Sequence, residues 1–119
     1  MADSHPYRRS LGAASPAQGD GVHSLPFQRS LLGRPGFMHG GAIAGFLAIV
    51  CDARAETEGG GHDPATTSMH FLRGGRERDT FATAAVRART SRLLIVEASA
   101  WQDSPDKPIA MMSRTYLRR

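Results

Sequence analysis

The chain has 119 residues, 40% of them hydrophobic, which suits one domain with a buried core and argues against wholesale disorder. It carries 15 Lys+Arg against 11 Asp+Glu, a net charge of +4, and Lys107 is its only lysine. The basic residues are scattered and accompany no nucleic-acid motif, and no stretch approaches the roughly 20 apolar residues of a membrane span, so neither a nucleic acid nor a membrane is an expected partner.

Residues 1–20 are rich in Ser, Ala, Gly and Pro and lack periodicity, so they read as a flexible arm ahead of a domain over residues 21–119. Arg8 and Arg9 precede no apolar stretch, which argues against a secretory signal. From Val22 to Leu32 an extended, mixed pattern interrupted by Pro26 predicts a strand at a sheet edge. Gly33-Arg34-Pro35-Gly36 is a loop. A helix is expected over Gly40–Glu58. From Ala42 to Cys51 it contains nothing polar beyond one sulfur, so it should be buried on most sides. Asp52, Arg54, Glu56 and Glu58 bring its last turns to water, and Gly59-Gly60-Gly61 ends it.

Four strands follow: Thr66–Arg73, Thr80–Arg89, Leu93–Trp101 and Pro108–Leu117, with turns at Gly74-Gly75-Arg76, Thr90-Ser91-Arg92 and Asp103-Ser104-Pro105-Asp106. One strand, a long apolar helix and four antiparallel strands describe an α+β domain in which a sheet curls around a central helix. The single cysteine, Cys51, allows no intrachain disulfide, which fits a cytoplasmic location. Its place in the apolar run marks a packed core residue rather than a nucleophile.

The chemistry concentrates at Gly36-Phe37-Met38-His39-Gly40-Gly41-Ala42-Ile43-Ala44-Gly45. The first turn of a helix carries N–H groups without intrahelical partners at the positive end of the helix dipole. Glycines there present those donors with no side chain in the way, which suits a carbonyl that becomes an oxyanion. This segment resembles the helix start of the hotdog-fold acyl-CoA thioesterases, in particular the PaaI-like branch. Ala65-Thr66-Thr67-Ser68-Met69-His70-Phe71-Leu72-Arg73-Gly74 is similar to the family strand ending in Phe-Leu-Arg-Pro, with Gly74 in place of the proline. Thr90-Ser91-Arg92 and the segment from Lys107-Pro108-Ile109-Ala110 to Thr115-Tyr116 resemble the family's basic turn and closing strand.

The resemblance spans Val22 to Leu117. It implies a homodimer or homotetramer that hydrolyses an acyl-CoA thioester to a free acid and coenzyme A, without a cofactor. The implied oxyanion site is the Gly40–Gly41 backbone, and a carboxylate on the facing subunit's helix activates water or attacks directly. His39 belongs to the same loop, either as a general base or, as the family pattern implies, as a residue that shapes the helix start. Arg73, Arg89 and Arg92 are candidates for the coenzyme A phosphates, because a guanidinium matches phosphate with a planar fork of donors.

Two positions depart from the pattern. The usual helix carboxylate, nine residues after the histidine, is Ala48, and the loop position often held by Asn is Gly33. Asp52 lies one turn beyond Ala48 on the same helix face as Gly41, so it is the candidate substitute, acting through a bound water. The alternative is a non-catalytic hotdog protein that binds acyl-CoA or pairs with a catalytic homologue. His62-Asp63 and His70 read as surface or packing residues, and no His/Cys/Asp spacing resembles a metal site.

Overall fold

The computed structural model of the protein describes residues 21–119, so the expected arm over residues 1–20 lies outside the described part. A short strand β1 (His23–Leu25) and a single 3-10 turn (Arg29–Leu31) lead to helix α1 (Gly40–Glu56). Strands β2 (His62–Phe71), β3 (Thr80–Arg89), β4 (Leu93–Trp101) and β5 (Ala110–Arg118) follow. All five strands form one antiparallel sheet in the order β1-β3-β4-β5-β2. The expected α+β hotdog architecture is what the chain adopts: one long helix lies against a single five-stranded sheet.

The helix seats on the sheet through one face. Ala42, Ile43, Phe46, Leu47, Val50, Cys51 and Ala55 are buried on it, at the spacing that keeps side chains on one side of a helix. They meet Ala82, Val96, Ala98, Ala100, Ala110 and Met112 from the sheet, while Leu25 and Leu31 also join the core. The alanines across β3, β4 and β5 keep this face of the sheet low, so Phe46 and Leu47 reach full burial.

The helix is apolar around most of its circumference, as expected, yet one stripe is only half covered or open. Gly41, Ala44 and Ala48 are half-buried, and Asp52 is exposed. Their spacing of three and four residues puts them in one line along the helix. Beside that line lies β2, an edge strand paired only with β5 among the described residues and exposed along nearly its whole length. Phe71 and Leu72, where β2 ends, are exposed large apolar residues.

Element bounds differ from expectation where proline chemistry is involved. The strand expected over Val22–Leu32 is confined to His23–Leu25, because Pro26 stops the ladder and the next N–H, Phe27, donates to Asp79 Oδ1 at 2.7 Å. Strand β2 begins at His62 instead of Thr66 and runs through Pro64. An edge strand accommodates a proline at a bulge, and the register shifts between Pro64 and Thr66. The α-helix ends at Glu56, after which Gly59, Gly60 and Gly61 take φ of 106°, 60° and 73° to turn the chain into β2. The last strand starts at Ala110 because the preceding Ile109 accepts from both Leu72 and Arg73 N–H, drawing the end of β2 around it.

Candidate functional site

The helix start is held by its own histidine. His39 is the N-cap of α1, with extended backbone angles. Its Nδ1 accepts from Gly41 N–H at 3.1 Å, and its carbonyl accepts from Ala42 N–H at 3.0 Å. The His39 N–H in turn donates to Leu31 O at 2.7 Å, tying the cap to the preceding 3-10 turn. A ring nitrogen that accepts is unprotonated, so a neutral imidazole here carries its proton on Nε2. The Gly41 N–H, expected to point at a ligand, is therefore directed at the imidazole. The Gly40 N–H makes no hydrogen bond among the described residues and is the helix-end donor left open to a ligand.

Gly40 and His39 line a cleft of about 610 Å³ together with Gly33, Arg34, Phe37 and Gly74. Two glycines shape it by what they lack. A Cβ on Gly33 would lie 3.3 Å from both Cα and Cδ2 of His39, so any larger residue at this place would press on the cap. A Cβ on Gly74 would stand 2.6 Å from Phe37 Cδ1 and Cε1, closer than side-chain carbons approach. Gly74 is thus the partner of Phe37. The Phe37 ring is also stacked by two cations: Arg34 Cζ is 4.3 Å and Arg76 Cζ is 4.5 Å from its centroid.

Asp52 belongs to a different network. Its Oδ1 accepts from Tyr116 Oη at 2.6 Å and from Arg114 Nη1 at 3.1 Å. Tyr116 and Arg114 sit two residues apart on β5, hence on the same face of the strand. Burial, then the hydrogen bond to Asp52, holds the phenol far above its ordinary pKa, so Tyr116 stays a donor. Asp52 Oδ2 accepts nothing among the described residues, and the Asp52 side chain is 52% exposed. Two donors orient one oxygen and leave the other open to water. Nearby, Arg114 Nε and His62 Nδ1 are buried without partners. His62, Asp52 and Tyr116 border one pocket of about 350 Å³. Burial pushes the neighbouring Cys51 thiol up to about 12, which keeps it protonated and unreactive.

The three arginines singled out from sequence are not together. Arg73 follows β2 near the cleft, where its Nε donates to Pro108 O at 3.3 Å. Arg89 is ion-paired with Glu58, which also meets Arg54 at 3.1 Å. Arg92 lies in the β3–β4 turn, whose Thr90 Oγ1 accepts from Arg92 and Leu93 N–H. Arg89 and Arg92 therefore stand at the opposite end of the sheet from Gly40, beside the end of α1. Sequence reasoning missed Arg34, Arg76, Arg114 and Tyr116. The i, i+2 pairing of Arg114 with Tyr116 was a usable signal; the stacking on Phe37 depends on two loops far apart in sequence and was not. No group of His, Cys, Asp and Glu fit for a metal exists among the described residues, and none of their helices is long and apolar enough to cross a membrane.

The sheet order, the single helix and the cleft at its N-terminus define a hotdog-fold domain, and solved structures share it. A protein of the thioesterase superfamily superposes with a TM-score of 0.76 at 23% identity, over 96% of this chain and 89% of that one. The Bacillus halodurans protein BH2602, crystallised with CoA, gives 0.79 at 15% identity, over 100% and 81%. The Escherichia coli PaaI protein, from the phenylacetic acid degradation operon, gives 0.75 at 18% identity, over 82% and 71%. At these identities the likeness establishes the fold. No family model and no curated protein matches the sequence.

Proposed function

We propose that the protein is a PaaI-like acyl-CoA thioesterase, working as a homodimer or homotetramer in the cytoplasm and needing no cofactor. The observation that carries this reading is the unpartnered Gly40 N–H at a helix N-terminus that lines a cleft, within a fold shared with a thioesterase-superfamily protein. A neighbour of the same fold crystallised with CoA supports the ligand class.

The chemistry needs two chains. Gly40 and Asp52 are separated by twelve residues of one helix, about 18 Å at 1.5 Å per residue, too far to act on one thioester carbon. The half-covered stripe Gly41-Ala44-Ala48-Asp52 and the exposed edge strand β2 suit a second copy running antiparallel, which brings Asp52 of one chain to Gly40 of the other. Asp52 Oδ2 then takes a proton from a water whose oxygen attacks the thioester carbonyl. The oxyanion lies against the Gly40 N–H, joined by the Gly41 N–H when the imidazole of His39 releases it. Collapse breaks the C–S bond, and the proton held by Asp52 passes to the departing thiolate, giving the acid and coenzyme A.

A second reading, an acyl-CoA-binding hotdog protein or the silent partner of a catalytic homologue, is favoured by Ala48 at the usual carboxylate position and by the hydrogen bond that occupies Gly41. Thiol release from short, medium, long and aromatic acyl-CoAs separates the two. Turnover supports the hydrolase. Calorimetric binding without thiol release leaves the second reading, and neither binding nor turnover removes both.

A further inference from the structure

We propose that Gln102 is a positioning residue for the Gly40 N–H: its side-chain amide clamps the loop that seats Met38, and the seat of Met38 sets the angle at which the chain enters helix α1. This deepens the proposed function and rests on that reading for the reaction. Gln102 directly follows β4 and is half-buried. Its Oε1 accepts from Arg76 N–H at 2.9 Å. Its Nε2 lies 3.0 Å from Arg76 O, 3.2 Å from Arg78 O, 3.2 Å from Thr80 Oγ1 and 3.5 Å from Met38 Sδ. An N–H on one side and carbonyls on the other leave the amide a single orientation. One side chain thus gathers Arg76, Arg78 and Thr80 around a point beside Met38. Thr80, fully buried, also donates to Met38 Sδ at 3.4 Å.

The clamp reaches the helix start through Met38, the buried residue before the N-cap His39. Met38 N–H donates to Gly75 O at 2.8 Å, next to the Arg76 backbone that Gln102 holds. A Cβ on Gly75 would stand 3.0 Å from Ile43 Cδ1 and 3.4 Å from Met38 Cβ, so the Gly75 backbone is lodged against both. Met38 and Ile43 occupy the N′ and N4 positions of α1, the two places whose apolar packing fixes the entry angle of a chain into a helix. Gly40 lies between them at N1, and its N–H points where that angle directs it. A backbone donor has no rotamer to adjust, so only movement of the chain re-aims it. A displaced helix start weakens the contact to an oxyanion while leaving the groups that bind the rest of the ligand in place. On the near side the entry is held by His39 N–H on Leu31 O at 2.7 Å. Gln102 holds it from the far side, 64 positions from Met38 in the chain.

Gln102→Met tests this, since it keeps the length of the side chain and offers no amide. Thiol release should show kcat lowered roughly tenfold, less than the roughly 10²–10³-fold expected for outright loss of an oxyanion donor. KM should stay within about twofold, as for a contact made only in the transition state. Without any substrate, the NMR signals of the Gly40 and Gly41 backbone amides should move in the same variant. Gln102→Glu keeps the bond from Arg76 N–H but sets a carboxylate against two carbonyls, and should lower kcat at least as far. Thr80→Val removes only the hydroxyl between Met38 and Gln102. It should move the Gly40 signal less, and it carries the test if Gln102→Met does not fold. Gly40 and Gly41 signals that stay in place in the folded variants overturn the clamp, whatever happens to turnover. A rise in KM with kcat unchanged also overturns it, because Gln102 then serves ligand binding. Wild-type protein that releases no thiol from any acyl-CoA rejects the hydrolase, and a moved Gly40 signal in Gln102→Met would still support the clamp. Wild-type turnover matched by an unchanged kcat in Gln102→Met would keep the hydrolase and reject the positioning role.

Discussion

The two stretches of helix α1 proposed to act on the thioester are built by opposite means. At Gly40, which lines the cleft, the chain offers backbone with no side chain and an N–H without a partner among the described residues. At Asp52 it offers a side chain, oriented by Tyr116 and Arg114 from a neighbouring strand. A backbone donor is positioned by local chain geometry and needs only the cap of His39. A carboxylate is positioned by tertiary contacts and its reactivity depends on them. The first suits a site that stabilises charge, and the second a site that moves a proton. Ala48, one turn before Asp52, belongs to neither.

The largest expected effects come from disabling either end. Asp52→Asn keeps the shape and should lower thioester hydrolysis by roughly 10²–10⁴-fold, the usual contribution of a positioned acid–base group. Gly40→Pro removes the N–H at a position where proline suits a helix, and its Cβ would meet Phe71 only at an ordinary 3.5 Å. Hydrolysis should fall roughly 10²–10³-fold, as for loss of an oxyanion donor, with circular dichroism unchanged. Mixing the two inactive variants should restore about a quarter of wild-type turnover, because half the dimers are mixed and each has one intact site. No recovery on mixing would mean that the two ends do not meet across a dimer. Intact turnover in Asp52→Asn would remove Asp52 from the mechanism.

A smaller effect is expected between the ends. Ala48→Asp should raise hydrolysis, up to the roughly 10²-fold end of general-base effects, if the Gly40 donor is properly aimed. A variant that folds, binds acyl-CoA and remains inactive points to Gly33 and the loop before His39. Gly74→Ala should destabilise the domain by about 1–3 kcal/mol in denaturant melts through its clash with Phe37. Phe37→Leu in the same chain should recover part of that loss, a coupling readable in a double-mutant cycle.

The smallest change is His39→Ala. Loss of the cap should cost about 1 kcal/mol and release the Gly41 N–H. Retained or raised turnover assigns His39 to shaping the helix start. A fall of 10²-fold or more makes it a general base.

Several elements were legible because their causes are local. The helix start at Gly40, the strands over Thr80–Arg89 and Leu93–Trp101, and the turn at Thr90-Ser91-Arg92 follow from glycine, apolar periodicity and turn chemistry, and they match the structure. The start of β2 was misplaced by four residues, since Pro64 argues against a strand unless the strand is known to lie at an edge. The order of the sheet decides that, not the residues of β2.

The candidate site divides along the same line. Sequence alone determined the hotdog order of elements, the glycine-lined helix start and the absence of a carboxylate at Ala48, because each depends on residue type at fixed spacing. Only the tertiary structure decided that Arg89 answers Glu58 and that Asp52 is steered by Tyr116 and Arg114. It alone placed Arg34 and Arg76 on one ring. A hydrogen bond or an ion pair between residues 62 positions apart, as for Asp52 and Arg114, leaves no periodic trace in a chain. Folding brings such groups within 3 or 4 Å, and their partners then set what each can do.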